Sequence, residues 1–231
     1  MPPAIKEIKF DKSVFTTQIT TQTEESIDKA ASFDKANQAF TSMTQDIDDA
    51  EFLENIGHDE AAECKKLIAQ HFAPRLAVFG DSAFAATEWN VTQIDAMRDA
   101  AKAIIAANAL GAKSGDLEKL QALVKNVDDY HAALALVSSS KSCSSESEMH
   151  SLTSKAKSYN RAPLSNCKSL MSALNSVPGN AKANLARIEK EKQEAAAREA
   201  QRKKEAAERA KQKEIEEINH DIEVSTDDTD F

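Results

Sequence analysis

The sequence predicts a mainly α protein: a multi-helix, bundle-like body, a short N-terminal β arm and a long, polar C-terminal helix. Three observations carry this. Apolar residues recur at alternating steps of three and four through most of the chain, which is the period of an amphipathic helix. Five Gly and five Pro are few for 231 residues, which argues against a turn-rich all-β fold. Residues 181–222 contain no Gly or Pro and are dominated by Ala, Glu, Lys, Arg and Gln. As one helix, that run reaches roughly 60 Å at about 1.5 Å per residue. It is too polar for a core element, so its expected role is to reach, space or pair.

Residues 1–22 lean towards β structure. Ile8, Phe10, Val14, Phe15 and Ile19 alternate loosely with Lys, Thr and Gln, and Asp11-Lys12-Ser13 can turn the chain. An arm or short β-hairpin is expected, with Phe10 and Phe15 as its contact residues. Two strands alone are marginal in water, so they pack on the body or pair with another chain.

Residues 23–177 form the predicted helical body. Thr23 is a candidate N-cap for a helix striped by Phe33, Ala36, Phe40, Met43, Ile47 and Ala50, with Gly57 as its stop. A second helix starts near Asp59 with Cys64, Leu67, Ile68, His71 and Phe72 inward, and Pro74 ends or kinks it. Residues 76–89 suit one or two brief helices. Thr92 caps a helix carrying Ile94, Met97, Ala101, Ile104 and Ile105, stopped by Gly111. Ser114 or Asp116 opens the next, where Leu117, Leu120, Val124, Val127 and Leu134 form a heptad-like stripe that includes His131. Seven serines in 138–147 predict a flexible loop. A shorter helix with Met149, Leu152, Ala156 and Tyr159 follows up to Pro163, and another carries Leu164, Cys167, Leu170, Met171 and Leu174.

Pro178-Gly179 is expected to separate this body from the long charged helix, 180–222. There Leu185, Ala196, Ala207 and Ile218 recur every eleven residues, a period that gives a nearly straight or slightly right-handed stripe. The stripe is mostly Ala, so a coiled coil built on it is weak, and a solitary solvated helix fits equally well. Glu194–Arg198, Glu199–Lys203 and Glu205–Arg209 have the spacing that supports a helix by about 0.2–0.5 kcal/mol per pair.

Charge is unevenly distributed along the chain. Residues 24–63 hold 12 acids and 2 bases, a net of −10, whereas 182–213 hold 11 bases and 6 acids, a net of +5. Residues 214–231 add eight acids and no Lys or Arg. Pairing between such segments, within the chain or between copies, is electrostatically favoured. The overall net charge of −9 and the 5% aromatic content disfavour nucleic acid as a partner.

No catalytic signature is present. The five glycines have neither GxxxxGK nor GxGxxG spacing, and GxSxG and HExxH are absent. Cys64, Cys143 and Cys167 form no CxxC pair, and reduced thiols in a cytoplasmic setting are expected. His58, Cys64 and His71 are too widely spaced for a typical zinc site. Glu217-Ile218-Asn219-His220 is a single Glu-x-x-His, where di-metal bundles use two. The expectation is therefore no enzyme, no metal, no cofactor and no small-molecule substrate. The N-terminus lacks the apolar core of a secretory signal, and no run suits a membrane span.

Residues 223–231 form an acidic tail ending Asp227-Asp228-Thr229-Asp230-Phe231. This resembles the acidic tip with terminal Phe of bacterial single-stranded-DNA-binding proteins, over about seven residues and without that family's aromatic-rich body. The resemblance implies docking of a partner protein, with Phe231 in an apolar pocket and Asp227, Asp228 and Asp230 meeting Lys or Arg around it. Taken together, the sequence points to a structural or assembly protein. Its arm and long helix would make contacts in a multi-subunit particle, such as a viral or phage component. The alternative is a cytosolic regulatory or adaptor, chaperone-like protein that binds one partner through the long helix or the tail.

Overall fold

Helix dominates because the stripes named above have somewhere to go. The computed structural model describes residues 12–107 and 113–227, with 217–227 described by their backbone alone. The elements are α1 (Lys12–Thr23), a π-helical turn (Glu24–Asp28), α2 (Phe33–Phe52), α3 (His58–Ala85), α4 (Val91–Ala107) and α5 (Ser114–Ser140). They continue with α6 (Glu146–Ser158), a 3-10 turn (Leu164–Asn166), α7 (Lys168–Asn175) and α8 (Val177–Asp227). Among the described residues there is no strand, and no helix is long and apolar enough to cross a membrane.

The chain divides into two compact units, Met1–Ser138 with Ser154–Ser176, and Ser139–Thr153 with Val177–Phe231. In the first, α3 is the hub and packs against α1, α2 and α4. Its Ile68, Phe72 and Leu76 are completely buried, as are Ile27, Ile94 and Val127 from the surrounding elements. Burying each such side chain contributes about 1.5–3 kcal/mol. Phe40 stacks on Phe72 at 4.5 Å between ring centroids. Trp89 lies against Phe84 and Tyr130, at 4.8 and 5.4 Å, and its indole N–H donates to the Ala86 carbonyl. The segment before α7 is tied to the end of α3 where Asn166 donates to the Phe84 carbonyl and the Lys168 N–H to that of Thr87.

Several expectations need correction. The expected β arm is helical from Lys12 onwards; Phe10 lies outside the described residues, and Phe15 sits in α1. Ile19, Thr23 and Ile27 recur every four residues and are buried, so burial of one face outweighs the β preference of the Thr-rich segment. The hydroxyls of Thr17, Thr20, Thr21 and Thr23 donate to carbonyls one turn back, which lets threonine sit in a helix. Thr23 therefore ends α1 rather than capping a helix, and Ser32 is the N-cap of α2, accepting from the Lys35 N–H.

α3 runs unbroken through Pro74, because the buried Phe72, Ala73, Leu76 and Ala77 hold both sides of it in one core. Asn90, not Thr92, caps α4 by accepting from the Gln93 N–H. In α5 the buried line is Leu120, Leu123, Val127, Tyr130, Ala133 and Leu136, rotated from the expected stripe, and His131 pairs across to Asp95 at 2.6 Å. Gly80 lets α5 approach: a Cβ there would meet the Leu123 Cδ1 at 2.5 Å.

In the second unit the serine-rich stretch is largely structured. α5 continues to Ser140, and Ser145 and Glu148 cap the start of α6 in a variant of the capping box, with the carboxylate hydrogen-bonded to the residue before the N-cap. The Ser145 hydroxyl accepts from the Glu148 N–H, and the Glu148 carboxylate accepts from the Ser144 N–H and hydroxyl. Those bonds hold the Glu148 carboxyl below the usual carboxylate range. Pro178-Gly179 lies inside the first turn of α8 instead of ahead of it, where a missing N–H costs nothing. The root of α8 is anchored: Val177 and Ala181 are fully buried, and the buried Asn184 donates to the Cys143 carbonyl at 2.8 Å. α8 also takes in residues 223–227, expected as tail.

Candidate functional site

Two features of the described surface are not accounted for by the folding of either unit. The first is the corner between α2 and α3. α2 ends at Phe52 in a Schellman motif: the Glu54 N–H donates to the Glu51 carbonyl and the Asn55 N–H to that of Ala50. The left-handed position that this motif requires is usually Gly, but here it is Glu54, at φ 55°. The reversal tucks Ile56 inward and leaves Phe52 and Leu53 outside, 86% and 64% exposed. Asp46, Asp48, Asp49, Glu51, Glu54, Asp59 and Glu60 lie within the same stretch, 46–60, which contains no Lys or Arg.

A small charge network braces this corner. His58 Nδ1 pairs with Glu51 Oε1 at 2.7 Å, and Lys65 reaches Asp48 and Glu51. The hydrogen bond to Glu51 raises the His58 pKa above the ordinary histidine range, and the same bond lowers that of Glu51. Its bond to Asp48 raises Lys65. Asp46, Glu54 and Glu60 make no ion pair among the described residues, so this network leaves much of the negative charge uncompensated.

The second feature is the shaft of α8. Every residue from 189 to 216 is exposed. The pairs Glu194–Arg198 and Glu199–Lys203 are formed, joined by Arg187–Glu191 and Lys190–Glu194. Glu205 accepts from the Gln201 amide. Of the predicted contact residues, Leu185 is half-buried near the root, while Ala196 and Ala207 are exposed on the shaft. Ile218 and Asp227 lie on the helical backbone; Asp228, Asp230 and Phe231 lie outside the described residues.

The groups weighed as metal ligands are separated. His58 is held by Glu51, His71 by Asp28 at 2.9 Å, and Cys64 is buried. Among the described residues no group of three or more His, Cys, Asp or Glu could hold a metal ion. Sequence reasoning missed Phe52 and Leu53, although a signal existed. Phe52 is nine residues beyond Met43, about half a turn away from the buried stripe, and is flanked by acids.

Compared with known proteins, the chain matches no family, no curated protein and no solved structure.

Proposed function

We propose that this chain is a non-enzymatic assembly protein whose C-terminal helix makes protein–protein contacts in a multi-subunit particle. The observation that supports this reading is the unbroken exposure of the α8 shaft from 189 to 216 beyond a root that is anchored in its own unit. Ordering a backbone costs about 1–2 kcal/mol per residue. Here that cost is offset mainly by intrahelical backbone hydrogen bonds in an Ala-rich sequence, with i,i+4 ion pairs adding a little, rather than by burial. Such a helix adds nothing to a core, and its use lies in what it meets.

The test is the mass and shape of the full chain against a version ending at Ile188, which keeps the root, by light scattering and small-angle X-ray scattering. The full chain should self-associate as concentration rises, and the shortened chain should be monomeric with an unchanged melting temperature. Equal masses for both would overturn self-assembly through the shaft. The adaptor reading, with a foreign partner, would then take its place.

A further inference from the structure

The corner and the shaft complement each other chemically. The corner offers two exposed apolar side chains within an acidic stretch of chain. On the shaft, Ala196, Ala200, Lys203, Ala207 and Ala210 follow one another by four and three residues and so share a face, and all are exposed. Lys204 and Lys211 flank that face. Small side chains let a protruding Phe and Leu lie close to the helix, while the lysines meet carboxylates around them. Charge on both sides is available: Lys204 makes no ion pair among the described residues, nor do Asp46, Glu54 and Glu60. The two segments carry nets of −10 over 24–63 and +5 over 182–213. The non-glycine left-handed residue Glu54 maintains the outward pose of Phe52 and Leu53, and such conformations tend to persist where function needs them.

We infer that the Phe52–Leu53 corner of one copy docks on the Ala196–Ala200–Ala207–Ala210 face of the α8 shaft of a second copy. This rests on the assembly reading and adds to it the surface that receives the shaft. Because corner and shaft belong to every copy, the contact is heterologous and can propagate from copy to copy or close into a ring.

The experiment uses the full chain throughout. Sedimentation velocity across a concentration series compares the parent with Phe52→Ser/Leu53→Ser and with Lys203→Glu/Lys204→Glu. Each variant should weaken self-association at least about tenfold, from the lost apolar burial or from reversed charge. Circular dichroism confirms that each stays folded. Copies carrying Leu53→Cys and copies of different size carrying Ala207→Cys are then mixed with a thiol-reactive cross-linker. The three native thiols are buried, so background labelling is low. A mixed-size product is expected. Association that survives both variants would overturn the corner as receptor while leaving assembly through α8 intact. A parent that stays monomeric at every concentration would overturn both. A chain carrying both cysteines that cross-links only to itself would replace docking between copies with docking within one.

Discussion

Glu54 holds a backbone conformation that costs an L-residue about 1–2 kcal/mol, which Gly avoids. Gly in turn costs about 0.5–1 kcal/mol in unfolded-state entropy. Glu54→Gly should therefore stabilise the fold by about 0.5 kcal/mol, measured as a shift in urea midpoint at unchanged slope. Destabilisation would mean that the Glu54 side chain contributes something beyond closing the helix. Its neighbour His58 makes the corner sensitive to pH. Its raised pKa means that its contribution is complete below the ordinary histidine range and is lost as pH climbs through the raised value. Glu51 is lowered, so its contribution holds above the ordinary carboxylate range and fades as pH falls through the lowered value. The bridge is strongest between these limits. An NMR titration of the His58 ring should give a value above that of free histidine, and Glu51→Gln should return it to the ordinary range.

Among the helices, the contact at Gly80 sets how closely α3 and α5 pack. Ala at this position gains about 1 kcal/mol of helix propensity but forces Leu123 aside in a filled core, at about 1–3 kcal/mol. Gly80→Ala should thus be destabilising by about 1 kcal/mol and become stabilising once Leu123→Ala has made room; thermal or urea melts of the double-mutant cycle report the change of sign. α6 carries a simpler expectation. Ser145→Ala removes the acceptor for the Glu148 N–H and should cost about 1 kcal/mol. These elements also show what the sequence conveyed. The stripe of α2 and the inward face of α4 were legible because their apolar residues keep one helical period; Phe33, Ala36 and Ile47 of the first and Ile94, Met97, Ala101 and Ile104 of the second are buried. α1 was not, since β-branched Thr and Ile carry a local preference that only the contact with α3 reverses. The serine-rich stretch hid the N-cap of α6 inside a low-complexity composition. Half of the candidate site was legible: the shaft announces itself by composition, whereas the corner depends on where α2 stops, which is decided by a left-handed Glu rather than by Gly57.

Stability is graded across the whole chain. Amides of α3 around Ile68, Phe72 and Leu76 open only with the core of their unit, while those of 189–216 are held by intrahelical bonds alone. Hydrogen exchange in dilute solution should place the shaft among the fastest-exchanging helical segments. Raising the concentration should slow exchange on the shaft and at residues 46–60 together, if these surfaces meet between copies. Added salt should reverse that slowing, because the contact joins opposite charges over distances comparable to a Debye length of about 8–10 Å. The continuity of α8 has one more consequence. Each residue removed from the shaft turns everything beyond it by about 100°. Losing two residues would aim a distal contact face almost backwards, whereas losing eleven would restore its heading to within about 20° and shorten the reach by roughly 16 Å. The residue count between root and contact is thus a compass bearing as well as a length.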